Sequence, residues 1–122
     1  MIISAHQPAY NPWLGYFHKL LVSDIFVIMD DVQFEKNSFI NRNKIFCKPE
    51  GTMLTIPCDM KHHTEKSINE MEIANDLWKI KHLKSIEQTY SKAPHFNYVF
   101  PIVEKTLALK STFLVDFTNQ LF

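Results

Sequence analysis

The sequence predicts an α/β fold: a β-α-β unit with parallel strands at the N-terminus, then a β-hairpin and two C-terminal helices. Three observations predict it. Two continuous apolar runs, at 2–5 and 25–29, flank a stretch in which Trp13, Phe17, Leu20 and Leu21 recur at helical spacing. A Pro- and Gly-containing tetrapeptide, Lys48-Pro49-Glu50-Gly51, separates two strand-like runs. Beyond residue 75 the apolar positions follow a helical period.

In order, residues 2–5 read as a buried strand, followed by a Pro-punctuated loop, His6 to Asn11. Asn11 caps a helix with Pro12 at its first position, where the missing N–H costs nothing, and the helix runs to about Val22. Residues 25–29 read as a second strand, buried on both faces as parallel strands are. The connection is long enough for a right-handed parallel crossover. Residues 37–43 read as a polar loop, 44–47 and 52–56 as hairpin strands, and 59–66 as a polar, mobile loop. A short strand is expected around 71–73. Asn75 or Asp76 caps a helix whose apolar face is Leu77, Ile80, Leu83 and Ile86, ending near Tyr90. Ala93-Pro94 breaks it, and a last helix runs from about Tyr98 onward through Leu107, Leu114 and Phe117. Its apolar pattern is still running at Leu121-Phe122, so this helix either docks on the core or lacks its partner element.

At 122 residues the chain fits one domain with a moderate core, and ten Phe, four Tyr and two Trp argue against disorder. Thirteen basic side chains balance thirteen acidic ones, which gives no electrostatic reason to expect nucleic acid or an anionic membrane as partner. A charge near zero favours self-association, so a homo-oligomer is an expectation. No basic segment followed by an apolar one opens the sequence, and no apolar stretch is long enough to span a bilayer. The expected compartment is the cytoplasm, where Cys47 and Cys58 stay as thiols.

Parallel strands place the functional candidates. His6-Gln7 follows the first strand and Asp30-Asp31 the second, so both leave one edge of the sheet, in Rossmann-like fashion. The first helix points its positive end at that edge. His6 is the candidate acid–base or electrostatic group, with Gln7 and Tyr10 as binding residues in its loop. The plainer alternative is that His6 and Gln7 bond the backbone of their own loop, and that Trp13, Tyr16 and Phe17 are core. A strand, a His-bearing loop and a helix near Pro12 and Gly15 give a nucleotidyltransferase-like analogy, imperfect because the next histidine is His18. Lys19 can reach a phosphate or line a solvated helix face. Adjacent strand-end residues point to opposite sides, so one carboxylate of the acidic pair faces the site. Asp31 is the candidate to orient an amine, a ribose or Mg²⁺, against a turn-forming Asp. Asn41, Arg42, Asn43 and Lys44 bring a guanidinium fork, a point charge and two amides into one segment, suited to phosphate or carboxylate. The alternative is a solvated Asn-rich turn. Cys47, Cys58, His62 and His63 are types that zinc accepts, but their spacing matches no compact zinc pattern, and no metal is expected. No cofactor can be named.

The stretch from His6-Gln7-Pro8-Ala9-Tyr10 to Gly15-Tyr16-Phe17-His18-Lys19 resembles the opening signature of the WbqC-like family. Ser23-Asp24, Phe26-Val27 and Asp31-Val32-Gln33-Phe34 continue it, as do Asn41-Arg42-Asn43, Leu54-Thr55-Ile56-Pro57, Trp78 with Lys81-His82, and Tyr90 to Pro94. Met53 stands where an aromatic residue is usual. The resemblance implies glycine or aminoacyl transfer onto amino sugars in surface polysaccharide (O-antigen) biosynthesis, with a nucleotide-linked small molecule as substrate. It also implies a domain continuing past the point of Phe122, and raises His82 to a binding candidate. The competing expectation is a truncated, non-catalytic binding or assembly module.

Overall fold

The structure, a computed structural model, describes residues 1–120. It is mixed α/β, as the sequence predicts. Strand β1 (Ile3–His6), helix α1 (Leu14–Val22) and strand β2 (Ile25–Ile28) form the β-α-β unit. The strands pair in parallel, with Ile3 opposite Ile25 and His6 opposite Ile28. Strands β3 (Arg42–Ile45) and β4 (Thr52–Thr55) form the antiparallel hairpin. Short 3₁₀ turns at His63–Glu65 and Ile68–Glu70 lead to α2 (Leu77–Tyr90), α3 (Phe96–Leu107) and α4 (Leu114–Asn119).

Several expectations are corrected. Helix α1 starts at Leu14, because Asn11 takes a left-handed conformation (φ 45°) instead of capping it. Neither strand of the parallel pair is buried on both faces. Ser4, His6, Phe26 and Ile28 turn toward the interior, while Ile3, Ile25 and Val27 are 57%, 47% and 44% exposed. Two strands with one helix cover only one face, so the alternate residues stay in solvent. Arg42 and Asn43 lie on β3, not in a loop. Asn41 extends the pairing backward: its carbonyl accepts from Ile56 N–H (2.7 Å) and its side-chain amide donates to the Ile56 carbonyl (2.9 Å). The 59–66 stretch, expected to be a polar, mobile loop, carries the first 3₁₀ turn.

The last helix is two helices. Residues 111–114 leave the helical path to pair with the 71–73 segment, Ile73 N–H donating to the Thr112 carbonyl (2.8 Å) and Leu114 N–H to that of Met71 (2.9 Å). Ile73 and Glu72 make isolated bridges there, where the short strand is expected. Helix α4 then docks on the core through Leu114 and Phe117. Leu121 and Phe122 lie outside the described residues.

The core is built mainly by the C-terminal two-thirds. Leu54 and Ile56 meet Ile68, Met71, Trp78, Leu107, Leu114 and Phe117, and Tyr10 enters from the N-terminal loop. Burying each such side chain stabilises the fold by roughly 1.5–3 kcal/mol. Helix α2 presents Trp78 and His82 inward, one turn apart, whereas Leu77 and Ile80 face solvent.

Candidate functional site

The rim is where parallel strands place it: His6 ends β1, and the Met29 N–H bonds the His6 carbonyl (2.9 Å) as the chain leaves β2 toward Asp30-Asp31. The half-buried imidazole lies edge-on between Trp13 and Tyr16, at ring-centroid distances of 5.2 and 5.0 Å. Tyr16 also meets Phe26 of β2 at 5.3 Å, so it joins α1, the sheet and His6. Gly15 is required by the same packing, since a Cβ there would overlap the Trp13 indole. Trp13 is thus a partly exposed cover over His6, not a core residue.

His6 Nδ1 is 2.8 Å from the Gln7 carbonyl. A carbonyl only accepts, so Nδ1 carries the proton and the neutral ring keeps its lone pair on Nε2. The backbone-bonding alternative holds for one nitrogen, and the other has no hydrogen-bond partner among the described residues. Gln7 supplies that carbonyl and its side chain is half-buried. Asp31 is exposed and makes no ion pair among the described residues. Lys19 turns back to the sheet, its ammonium donating to the Ala5 carbonyl (3.0 Å).

Tyr10 and His82 belong to the core. His82, the binding candidate implied by the resemblance, is 2% exposed. Its Nε2 faces the Thr55 carbonyl (3.1 Å) and therefore donates, and its Nδ1 accepts from the Tyr10 hydroxyl (2.8 Å). Both nitrogens are consumed, so His82 joins loop, hairpin and α2. Burial is the main cause that lowers its pKa to about 4, and burial likewise pushes the Tyr10 phenol up. Tyr10, read as a loop residue open to substrate, is fully buried.

On β3 the side chains alternate. Asn43 faces the N-terminal loop and donates to the Asn11 (2.6 Å) and Tyr10 (3.3 Å) carbonyls. Arg42 faces a cavity of about 240 Å³, with Lys36, Asn41 and Cys58 also on its walls. The Arg42 guanidinium is held by Asn37, through its carbonyl and, at 3.5 Å, its side-chain oxygen. Its Nε is buried without a hydrogen-bond partner among the described residues. Burial raises the Cys58 thiol to about 11, with the Asn41 amide partly offsetting it. Lys44 is exposed and does not line this cavity. No hydrogen bond or ring contact joins His6 to Arg42 among the described residues. Sequence reasoning passed over Lys36, although it sits beside the Asn-rich block, and took Trp13 for core. Among the described residues no three His, Cys, Asp or Glu side chains gather as a metal site.

Fold and site therefore define an α/β protein with a histidine-bearing strand-end rim and a separate cationic pocket. The chain matches the WbqC-like protein family over residues 7–122 and belongs to that family. It is 36% identical over 90 residues to the uncharacterised protein Rv1507c of Mycobacterium tuberculosis, a match covering 74% of this chain and 39% of the relative. The chain thus spans well under half the length of that relative. No solved structure matches it.

Proposed function

We propose that the chain acts in acyl or aminoacyl transfer, with glycine as the acyl group. The acceptor would be a phosphate-containing substrate such as a nucleotide-linked amino sugar for surface polysaccharide, in the cytoplasm. The observation that carries this reading is the open Nε2 of His6 at the end of a parallel strand. Attack of an amine on the acyl carbon of an activated glycyl donor forms the new C–N bond, breaks the bond from that carbon to the donor's leaving group, which departs with the electron pair, and releases the amine proton; a lone pair held by a loop bond and two rings is suited to accept that proton. Asp31 would orient the amine, and Arg42 would hold a phosphate or carboxylate group. Family membership supports the general class; the glycine and the sugar come from the resemblance alone. Titration calorimetry of nucleotides and nucleotide-linked amino sugars tests it, on this chain and on a full-length relative. Heat of binding, with transfer abolished in His6→Gln, is the expected result; no heat with any of them in the folded full-length relative refutes it.

A second reading, a non-catalytic assembly module, is favoured by one observation: the outward face of the parallel sheet carries Ile3, Ile25 and Val27 in solvent. It expects dimers or larger species in light scattering, dispersed by Val27→Lys. A monomer with one cooperative thermal transition contradicts it.

A further inference from the structure

The Arg42 cavity has a chemistry that can be narrowed. At about 240 Å³ it lies below the roughly 300–1,000 Å³ of pockets that enclose drug-sized ligands. It takes one small group and not a whole nucleotide. None of its lining residues is acidic, whereas Arg42 and Lys36 are both cationic. Arg42 makes no ion pair among the described residues, and its buried Nε–H points to no acceptor. A partly enclosed guanidinium with neither counter-charge nor acceptor for one N–H is an unfavourable arrangement. An oxyanion in the cavity supplies the missing counter-charge through charge-assisted hydrogen bonding to the guanidinium. The walls are fixed in advance. Asn37 holds the guanidinium from a left-handed backbone (φ 65°), and Asn41 is tied to Ile56 by two hydrogen bonds. Phe34, Ile56 and Met60 complete an apolar lining that suits a short carbon stem.

We infer that this cavity binds a small oxyanion, a carboxylate or a phosphate, through the Arg42 guanidinium and the Lys36 ammonium. The inference rests on the holding role proposed for Arg42 and deepens it: Lys36 replaces Lys44 as the second cation, and the ligand reaches the cavity as one compact charged group.

The probes are inorganic phosphate, acetate and glycine, titrated calorimetrically at low salt into the full chain. Alkylation of Cys58 in a Cys47→Ser background gives a second readout, because Cys58 lines the cavity. At least one probe is expected to bind and to slow Cys58 alkylation. Arg42→Gln should weaken it by about tenfold or more, the loss of a charge-assisted bond. Lys36→Gln, at an exposed position that bears on no core packing, should weaken it by about threefold and keep the wild-type melting curve. Phosphate binding without acetate or glycine assigns a phosphate group, and the reverse a carboxylate. No binding by any probe, or binding that Lys36→Gln and a folded Arg42→Gln leave unchanged, overturns the inference. Binding that persists in a full-length relative without transfer activity would remove the transferase reading and leave this one standing.

Discussion

Two histidines in this chain carry opposite protonation patterns, and hydrogen-bond partners decide them. His6 spends one nitrogen on a loop carbonyl and keeps the other, whereas His82 spends both. The second arrangement is structural and has a pH signature. The unfolded chain protonates His82 near its ordinary value of 6.5, and the folded chain resists until about 4. Above the unfolded value His82 makes stability independent of pH. As pH falls through that window the unfolded state gains the proton first, so stability declines, by up to about 3 kcal/mol below the lower value. Urea melts from pH 7 to pH 4 should show this slope, and His82→Gln should flatten it. An unchanged slope in the variant would mean that other groups set the acid sensitivity. The part His82 plays was not legible from the sequence. A lone His beside Lys81 says nothing about a phenol arriving from Tyr10, seventy-two residues away along the chain. What the sequence does show is the placement of His6, because a short apolar strand followed by a polar residue fixes where the chain leaves the sheet.

At the scale of elements, pattern and partner compete. The β-α-β unit and the hairpin are readable because apolar runs and turn residues are local signals. The face of α2 is not: counting Leu77 and Ile80 selects one side of the helix. Trp78 and His82 take the inside because their rings meet Tyr10 and Phe117. The break between α3 and α4 is likewise set by distant backbone pairing with the 71–73 segment. The polar block that opens β3 was legible as special but not as to cause. Its alternation sends Asn43 to the N-terminal loop and Arg42 to a cavity, so one segment both packs the loop and lines the cavity. Asn43→Ala should therefore destabilise the chain by about 1–2 kcal/mol, the loss of side-chain bonds to the Asn11 and Tyr10 carbonyls. Amide hydrogen exchange should quicken in residues 7–12 and leave α2 unaltered. Uniform quickening throughout would show that Asn43 supports the whole fold and not the loop.

Across the whole molecule, packing is uneven. The hairpin, α2 and α4 surround a continuous core, while the parallel pair carrying the rim has one covered face and one apolar face in solvent. Two-stranded sheets are marginal without further strands or packing. The chain also spans 39% of the mycobacterial relative. Rim and cationic cavity are separate features, the segment from Asp31 running on to Phe34, Lys36 and Asn37 of the cavity wall, and the proposed transfer chemistry requires a substrate that reaches both. No helix among the described residues is long and apolar enough to cross a membrane.

The rim's chemistry turns on which nitrogen of His6 holds the proton. Long-range proton–nitrogen correlation spectra of the histidine side chains, recorded at a pH where His6 is neutral, read that directly. A protonated Nδ1 and a bare Nε2 are the expected result, with the reverse tautomer at His82. A proton on Nε2 of neutral His6 would leave the rim without its acceptor and contradict the proposed role.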